Sequence, residues 1–160
     1  MTISLKPMIL VVLMLCFITT SCSSDDDNTD TTKPTITINY DGGFPQACEA
    51  LERGQTYTFK AQVADNVALA SYSLDIHHNF DHHTHDDQIG DCEFHDDKTP
   101  INPFLVLENY SISGEQQSYE IALEISIPND VDTGDYHCEY SVIDKTGWRS
   151  QTSIDITIIE

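Results

Sequence analysis

The residues best suited to chemistry in this sequence lie in one stretch, residues 75–97. This stretch contains six of the seven histidines, together with seven aspartates, one glutamate and one cysteine. A packed hydrophobic core does not need such a composition. Neutral imidazole and carboxylate groups are ligands of divalent metals such as Zn, Cu and Ni, and a bound cation offsets the repulsion among crowded carboxylates. The stretch therefore predicts a metal site.

The candidate ligands follow from the alternation of side chains along an extended chain. Residues two apart share a face, so His83 and His85 form a chelating pair with Asp81 on the same side. His77 lies at the end of a predicted strand, where the backbone is well fixed. We expect Zn to take about four ligands, with other aspartates holding the imidazole N–H groups. The full candidate set is His77, Asp81, His82, His83, His85, His95 and His137.

Zn is the first candidate for this site, and Cu or Ni would suit the same ligands. Calcium is the runner-up, because carboxylates bind it well but imidazole does not, and the chain has no Asp-x-Asp-x-Asp-Gly loop. Two alternatives stay open: a flexible, solvated loop that binds metal loosely, and a loop with no metal at all.

Alternating apolar and polar residues predict the strands that would position this loop. The pattern has a period of two, which is typical of strands, and turn residues such as Asp-Gly-Gly and Pro-Asn-Asp separate the segments. A further apolar segment, 104–112, follows two prolines and fits an edge strand. We predict an all-β, antiparallel sandwich of about seven strands, labelled A to G in chain order, in which B is 57–63, C is 69–76 and D is 104–112. One long His/Asp-rich loop connects strands C and D. The alternating segments are 36–40, 57–63, 72–76, 119–127, 136–142 and 154–158.

A local motif indicates that the predicted sandwich is immunoglobulin-like. Residues 132–138 read Asp-Thr-Gly-Asp-Tyr-His-Cys, which resembles the Asp-x-Gly-x-Tyr-x-Cys signature that opens strand F of immunoglobulin domains. In those domains the tyrosine contacts the preceding loop, which assigns that role to Tyr136. Strand B has no inward cysteine and strand C no tryptophan, so the usual disulfide between the sheets is not expected.

The N-terminus predicts export and lipidation. Residues 1–21 contain one basic residue, an apolar run from 8 to 18 that is short for a membrane span, and small polar residues before Cys22, as in a signal peptide. The four residues that end at Cys22 resemble a bacterial lipobox, although Thr19 stands where leucine is usual. This resemblance implies that Cys22 is lipidated; an ordinary cleaved signal is the alternative.

The segment after the predicted cleavage site is polar and acidic. Residues 22–33 contain no apolar side chain to bury apart from Cys22 itself, so we predict a disordered tether followed by one domain, 34–160. A cysteine followed by serines and acidic residues resembles the surface-export signal of Bacteroidota lipoproteins. The resemblance implies a lipid anchor in the outer membrane and a position on the cell surface, with the periplasmic face as the alternative.

The net charge limits the classes of partner. The chain has 7 basic and 27 acidic side chains, a formal net charge of −20 at pH 7. Nucleic acid and anionic lipid headgroups are therefore poor partners, and a cation is a natural one.

Three cysteines would remain in the exported domain, so at most one internal disulfide can form. In a sandwich of alternating strands, the loops that contain Cys48 and Cys92 share one end. Cys138 points inward by the strand pattern. We therefore favour a Cys48–Cys92 disulfide over any pairing with Cys138.

Residues 75–85, on a lipobox-bearing sandwich, resemble an uncharacterised domain family of Bacteroidota surface lipoproteins. The resemblance implies location and architecture but no reaction, and the matching positions are His77, Asn79, Phe80, Asp81, His83 and His85. We predict a binding protein that captures or buffers a divalent transition metal. The alternative is an adhesion module for protein or glycan, with Trp148 as the one candidate sugar platform. No His-Glu-x-x-His or nucleophile motif occurs, so no enzymatic activity is predicted.

Overall fold

The computed structural model of this protein describes residues 30–160. The predicted signal peptide (1–21), the lipidation at Cys22 and most of the predicted tether lie outside the described residues. From residue 30 onward, no helix is long and apolar enough to cross a membrane. The strands are β1 (Thr35–Thr37), β2 (Glu49–Glu52), β3 (Thr56–Ala64), β4 (Leu69–His78), β5 (Gln88–Ile89), β6 (Val106–Ser111), β7 (Ser118–Ser126), β8 (Gly134–Asp144) and β9 (Arg149–Ile159).

These strands form two sheets, which confirms the predicted all-β sandwich. One sheet has three strands in the order β1-β3-β7, and the other has the order β2-β9-β8-β4-β6 with β5 also on β9. The long pairs β4–β8, β8–β9 and β3–β7 are antiparallel. The count is nine rather than about seven because two short loop segments, β2 and β5, pair in parallel with the free edge of β9. Both satisfy backbone groups that an edge strand would otherwise leave exposed.

The core lies between the two sheets and follows the predicted alternation. The strands β3 and β4 bury alternate side chains, whereas β8 is buried on both of its faces. Fully buried members from both sheets include Phe59, Ile121, Leu74, Ile76, Tyr140 and Ile156.

Tyr136 forms the corner that the motif at 132–138 predicts. Its hydroxyl donates a hydrogen bond to the backbone oxygen of Asp132 at 2.6 Å and accepts one from the backbone N–H of Phe104 at 3.2 Å. Cys138, two residues later, is a buried free cysteine that faces the core. The corner therefore fixes the start of β8 and the side chains that this strand presents on its two faces.

Cys48 and Cys92 form a disulfide, the pairing that the sequence favours, with their Cα atoms 5.5 Å apart. Cys48 immediately precedes β2, and Cys92 lies in the middle of the His/Asp-rich segment between β4 and β6. The bond therefore fastens this segment to the start of β2, which pairs with the edge of β9.

The segment between β4 and β6 folds back over the outer face of the six-stranded sheet. It begins with a hydrogen bond from Asn79 N to Asp135 O at 2.8 Å and later forms β5 beside β9. Beneath it, polar side chains of the sheet are buried: His137 is 0 % exposed and Asp155 3 %. The segment is therefore packed on the sheet rather than solvated on all sides.

Candidate metal centre

Three histidines converge at the end of β4. His77 lies on the outer face of this strand, and His83 and His85 come from the segment that folds back over it. The Nε2 atom of His77 is 3.2 Å from Nε2 of His85 and 3.3 Å from Nε2 of His83. Three nitrogens that bind one tetrahedral Zn at the usual distance lie about 3.3 Å from one another. The two distances from His77 therefore match a zinc centre, and the ligand atoms of all three residues lie within 4.8 Å of one another.

The far side of each ring faces a carboxylate. His77 Nδ1 is 2.9 Å from Asp75 Oδ1, and His83 Nδ1 is 2.6 Å from Asp81 Oδ1. A neutral imidazole that donates from Nδ1 has a lone pair on Nε2. When both rings are neutral and both Nδ1 atoms donate, no proton lies between the two Nε2 atoms, and a cation bound there would relieve the repulsion between the facing lone pairs.

The third ring has a weaker orienting contact. His85 Nδ1 lies 3.5 Å from Glu139 Oε2, and Glu139 also lies 3.7 Å from the guanidinium of Arg149. Burial lowers the pKa of His85, and the nearby rings of His137 and His77 lower it further. Burial raises the pKa of Glu139. The depressed pKa favours the neutral imidazole that metal binding requires.

Strand register explains why these groups meet. In the β4–β8 ladder, His77 is opposite His137 and Asp75 is opposite Glu139, so all four lie on the outer face of the sheet. The side chains of the three converging histidines remain 23 to 37 % exposed. The centre is therefore held by the sheet below and open to solvent above.

His137 supports the centre rather than presenting a nitrogen to it. Its Nε2 donates to the backbone oxygen of His83 at 3.0 Å, and its Nδ1 lies 2.9 Å from Asp155 Oδ1, although not in hydrogen-bonding orientation. Its ring packs edge-on against His85 and His83, with centroids 4.5 and 4.8 Å apart. The contact holds the backbone between the two loop ligands against β8.

A family model covers residues 20–159, nearly the whole chain, and it is described as a domain of unknown function, DUF4625. The chain belongs to the DUF4625 family. This finding agrees with the predicted membership of a domain family without an established activity, while the Bacteroidota origin stays a prediction. No curated protein matches the sequence of this DUF4625 domain.

Among solved structures, the DUF4625 domain is similar to the sporulation control protein Spo0M from Bacillus subtilis. The sequence identity is 10 % and the TM-score 0.39, and the match covers 80 % of this chain and 49 % of that one. The DUF4625 domain therefore spans about half the length of that protein.

Besides His137, three other predicted ligands of the DUF4625 domain lie outside the converging group. Asp81 contacts the Nδ1 side of His83 and so orients a ring. His95 Nδ1 is 2.8 Å from the buried Asp135, and His82 Nδ1 is 2.9 Å from Asp97. The last two histidines line a different part of the surface, and their role as ligands stays a prediction without geometric support.

Sequence reasoning missed Asp75 and Glu139, the orienting carboxylates of His77 and His85. Asp75 could have been found, because Asp75-x-His77 has the same spacing as Asp81-x-His83. Glu139 carries no local signal, since only the strand register places it near the loop.

Proposed function

We propose that this DUF4625 domain is a lipid-anchored binding protein that captures or buffers a divalent transition metal. Its ligands are His77, His83 and His85, and the metal is Zn, with Cu or Ni as alternatives. The observation that supports the proposal is the convergence of three Nε2 atoms at 3.2 and 3.3 Å, with a carboxylate behind each ring. Carboxylates in that position fix the ring and raise its basicity as a ligand.

Three protein ligands leave one coordination position of a tetrahedral metal to water or to another molecule. An open position suits a protein that receives a metal ion and gives it up, because an incoming ligand can bind before the histidines release. A closed structural site would use four protein ligands. We assign no reaction to the centre.

The predicted lipid anchor fits the direction in which the centre faces. The N-terminal segment enters the sandwich beside the β3–β4 turn, whereas His77 is near the other end of β4. A chain anchored at Cys22 would hold the histidines on the side away from the membrane. We propose the outer membrane and the cell surface as the location, with the periplasmic face as the alternative, and a metal ion rather than nucleic acid as the partner.

The second proposal is an adhesion module for protein or glycan in which metal is structural or absent. Trp148, the candidate sugar platform, is 40 % exposed and donates its indole N–H to the backbone oxygen of Asp30 at 2.9 Å. The indole N–H therefore has a structural partner, and the exposed part of the ring is the surface that a sugar could contact.

Zinc titration of the full chain in mild detergent tests the metal site. We expect one equivalent of Zn by calorimetry and an intense, tetrahedral visible spectrum with Co. The variant His83→Ala/His85→Ala should lose both signals, because it removes two of three ligands. The matched control His82→Ala/His95→Ala removes two histidines of the same segment and should keep both.

Two results would contradict this assignment. Full binding in the first variant would exclude the converging histidines as ligands. Loss of binding in the control variant, with the circular dichroism unchanged, would move the site to Asp135 and its neighbours.

Zinc affinity should decrease as the pH falls through the imidazole range, because protons compete with the metal for Nε2. Neutral rings bind metal, so affinity is full above an ordinary imidazole pKa of about 6.5 and is lost progressively below it. The lowered pKa of His85 delays its protonation to lower pH than for an exposed histidine. A competition assay with a chelating dye from about pH 8 to about pH 5 measures this. A flat profile would argue against imidazole ligands.

A further inference from the structure

A second group of potential ligands lies at the opposite end of the sandwich. Asp30 precedes β1, Asp65 lies in the turn between β3 and β4, and Asp144 ends β8. Each contributes a carboxylate oxygen to a group whose members all lie within 4.8 Å of one another. Along β8 the group is about 24 Å from His137, at the rise of an extended strand. It is therefore separate from the histidine centre.

One oxygen of each carboxylate builds the local backbone. Asp144 Oδ1 accepts the backbone N–H groups of residues 146–148 at 2.6 to 2.8 Å. Asp65 Oδ1 accepts those of residues 67 and 68, both at 2.8 Å. Asp30 Oδ1 accepts two hydrogen bonds, at 2.9 and 3.0 Å. These hydrogen bonds stabilise the turns, but they involve only one of the two oxygens of each carboxylate.

The other oxygen of each carboxylate, Oδ2, is buried and has no hydrogen-bond partner. Asp144 is 2 % exposed and Asp30 8 %. None of the ion pairs between residues 30 and 160 includes any of the three aspartates. The backbone N–H of Thr32 lowers the pKa of Asp30, which favours its ionised form. Buried carboxylates without a counterion are strongly unfavourable, and a cation bound among these three carboxylates would remove that cost.

We propose that Asp30, Asp65 and Asp144 bind a calcium ion that fastens the N-terminal segment to the sandwich. The group offers oxygen donors alone, with no imidazole or thiolate, and hard cations prefer such ligands. Calcium takes six to eight oxygens in irregular geometry, so backbone carbonyls and water can complete its shell around these three carboxylates. Magnesium demands a near-ideal octahedron and retains several waters, which suits a buried group less well.

The ion would determine where the acidic tether ends. Asp30 belongs to the segment 22–33, which the sequence predicts to be disordered, yet its carboxylate and its backbone oxygen are both held by the sandwich. Calcium outside the cell would thus join this segment to two turns, those that contain Asp65 and Asp144. The predicted tether would then end at residue 30 rather than 33, which limits the distance between the domain and its predicted anchor at Cys22.

Thermal unfolding of the full chain in mild detergent tests the calcium site. Extracellular modules bind calcium with dissociation constants of about 10⁻⁴ to 10⁻³ M, so about 10 mM calcium should raise the Tm by about 5 to 10 °C over its value in chelator. Asp144→Asn should abolish this shift, because it removes one charged ligand. Its Oδ1 still accepts the turn's hydrogen bonds, so in chelator its Tm should equal or exceed that of the wild type as repulsion is relieved.

Two matched variants separate this site from other effects of calcium. Glu115→Gln removes one charge from a side chain that is 81 % exposed near the same end of the domain, and it should keep the full shift. His83→Ala/His85→Ala should keep it as well. Absence of a shift in the wild type, a full shift in Asp144→Asn, or an equal shift with magnesium would each overturn the calcium proposal.

Discussion

His77→Ala should weaken zinc binding far more than removal of the carboxylate behind it. His77 Nε2 is the atom common to both short nitrogen contacts of the centre, so its loss removes a ligand and leaves His83 and His85 without their fixed partner on the sheet. Asp75→Asn leaves the ligand in place and removes the charge that orients it at 2.9 Å. Loss of an orienting group costs about 10 to 100-fold in metal affinity, and loss of a ligand should exceed about 100-fold.

The order of these effects distinguishes a built centre from loose attraction of cations by an acidic loop. Asp86→Asn is the matched control, because it removes the same charge from an exposed residue of the same segment and should leave the dissociation constant unchanged. Calorimetric titration of the three variants measures the series. If Asp86→Asn and Asp75→Asn weakened binding equally, general electrostatic attraction would account for the metal and the proposed geometry would be wrong.

Of the proposed variants, the one that lacks the disulfide should show the largest decrease in the free energy of unfolding. Cys48 and Cys92 are 44 residues apart, and closing a loop of that length stabilises the folded state by about 4 kcal/mol in the chain-entropy treatment. Cys48→Ser/Cys92→Ser should therefore lower the free energy of unfolding by about 2 to 5 kcal/mol. Urea denaturation in the presence of chelator measures this loss without a contribution from metal.

The same variant should also bind zinc more weakly, because the disulfide fastens the middle of the segment that supplies His83 and His85. Cys138→Ala is the control: it removes the remaining thiol of the domain and a buried sulfur but leaves the disulfide intact, so zinc affinity should not change. Wild-type zinc affinity in the double serine variant would show that the fold of the segment does not depend on the covalent link.

Much of this architecture follows from local patterns in the sequence. Alternation predicts the long strands because each strand must bury one face, and the 132–138 motif predicts the corner at Tyr136. The spacing His83-x-His85 and the position of His77 at a strand end place these three histidines among the seven predicted ligands, and these three converge. The strands β2 and β5 were not predicted, because segments of four and two residues are too short to show an alternation of apolar and polar residues.

Only the tertiary structure separates the seven predicted ligands into different roles. Composition cannot distinguish His85 from His95, since both lie among aspartates in one segment, but the course of that segment over β8 brings one to His77 and the other to Asp135. The register of β8 places Glu139 behind His85 and turns His137 towards a backbone oxygen.

The grouping of Asp30, Asp65 and Asp144 was even harder to predict from the sequence than the roles of the histidines. In the sequence, Asp65 and Asp144 are ordinary turn residues, and Asp30 is part of an acidic tether. They meet because β3, β4 and β8 bring the two turns to one end of the sandwich, where the N-terminal segment enters. Strand faces and turns are determined by residues that are close together along the chain. The contacts within the histidine centre and within the aspartate group depend instead on packing between residues that are far apart in sequence.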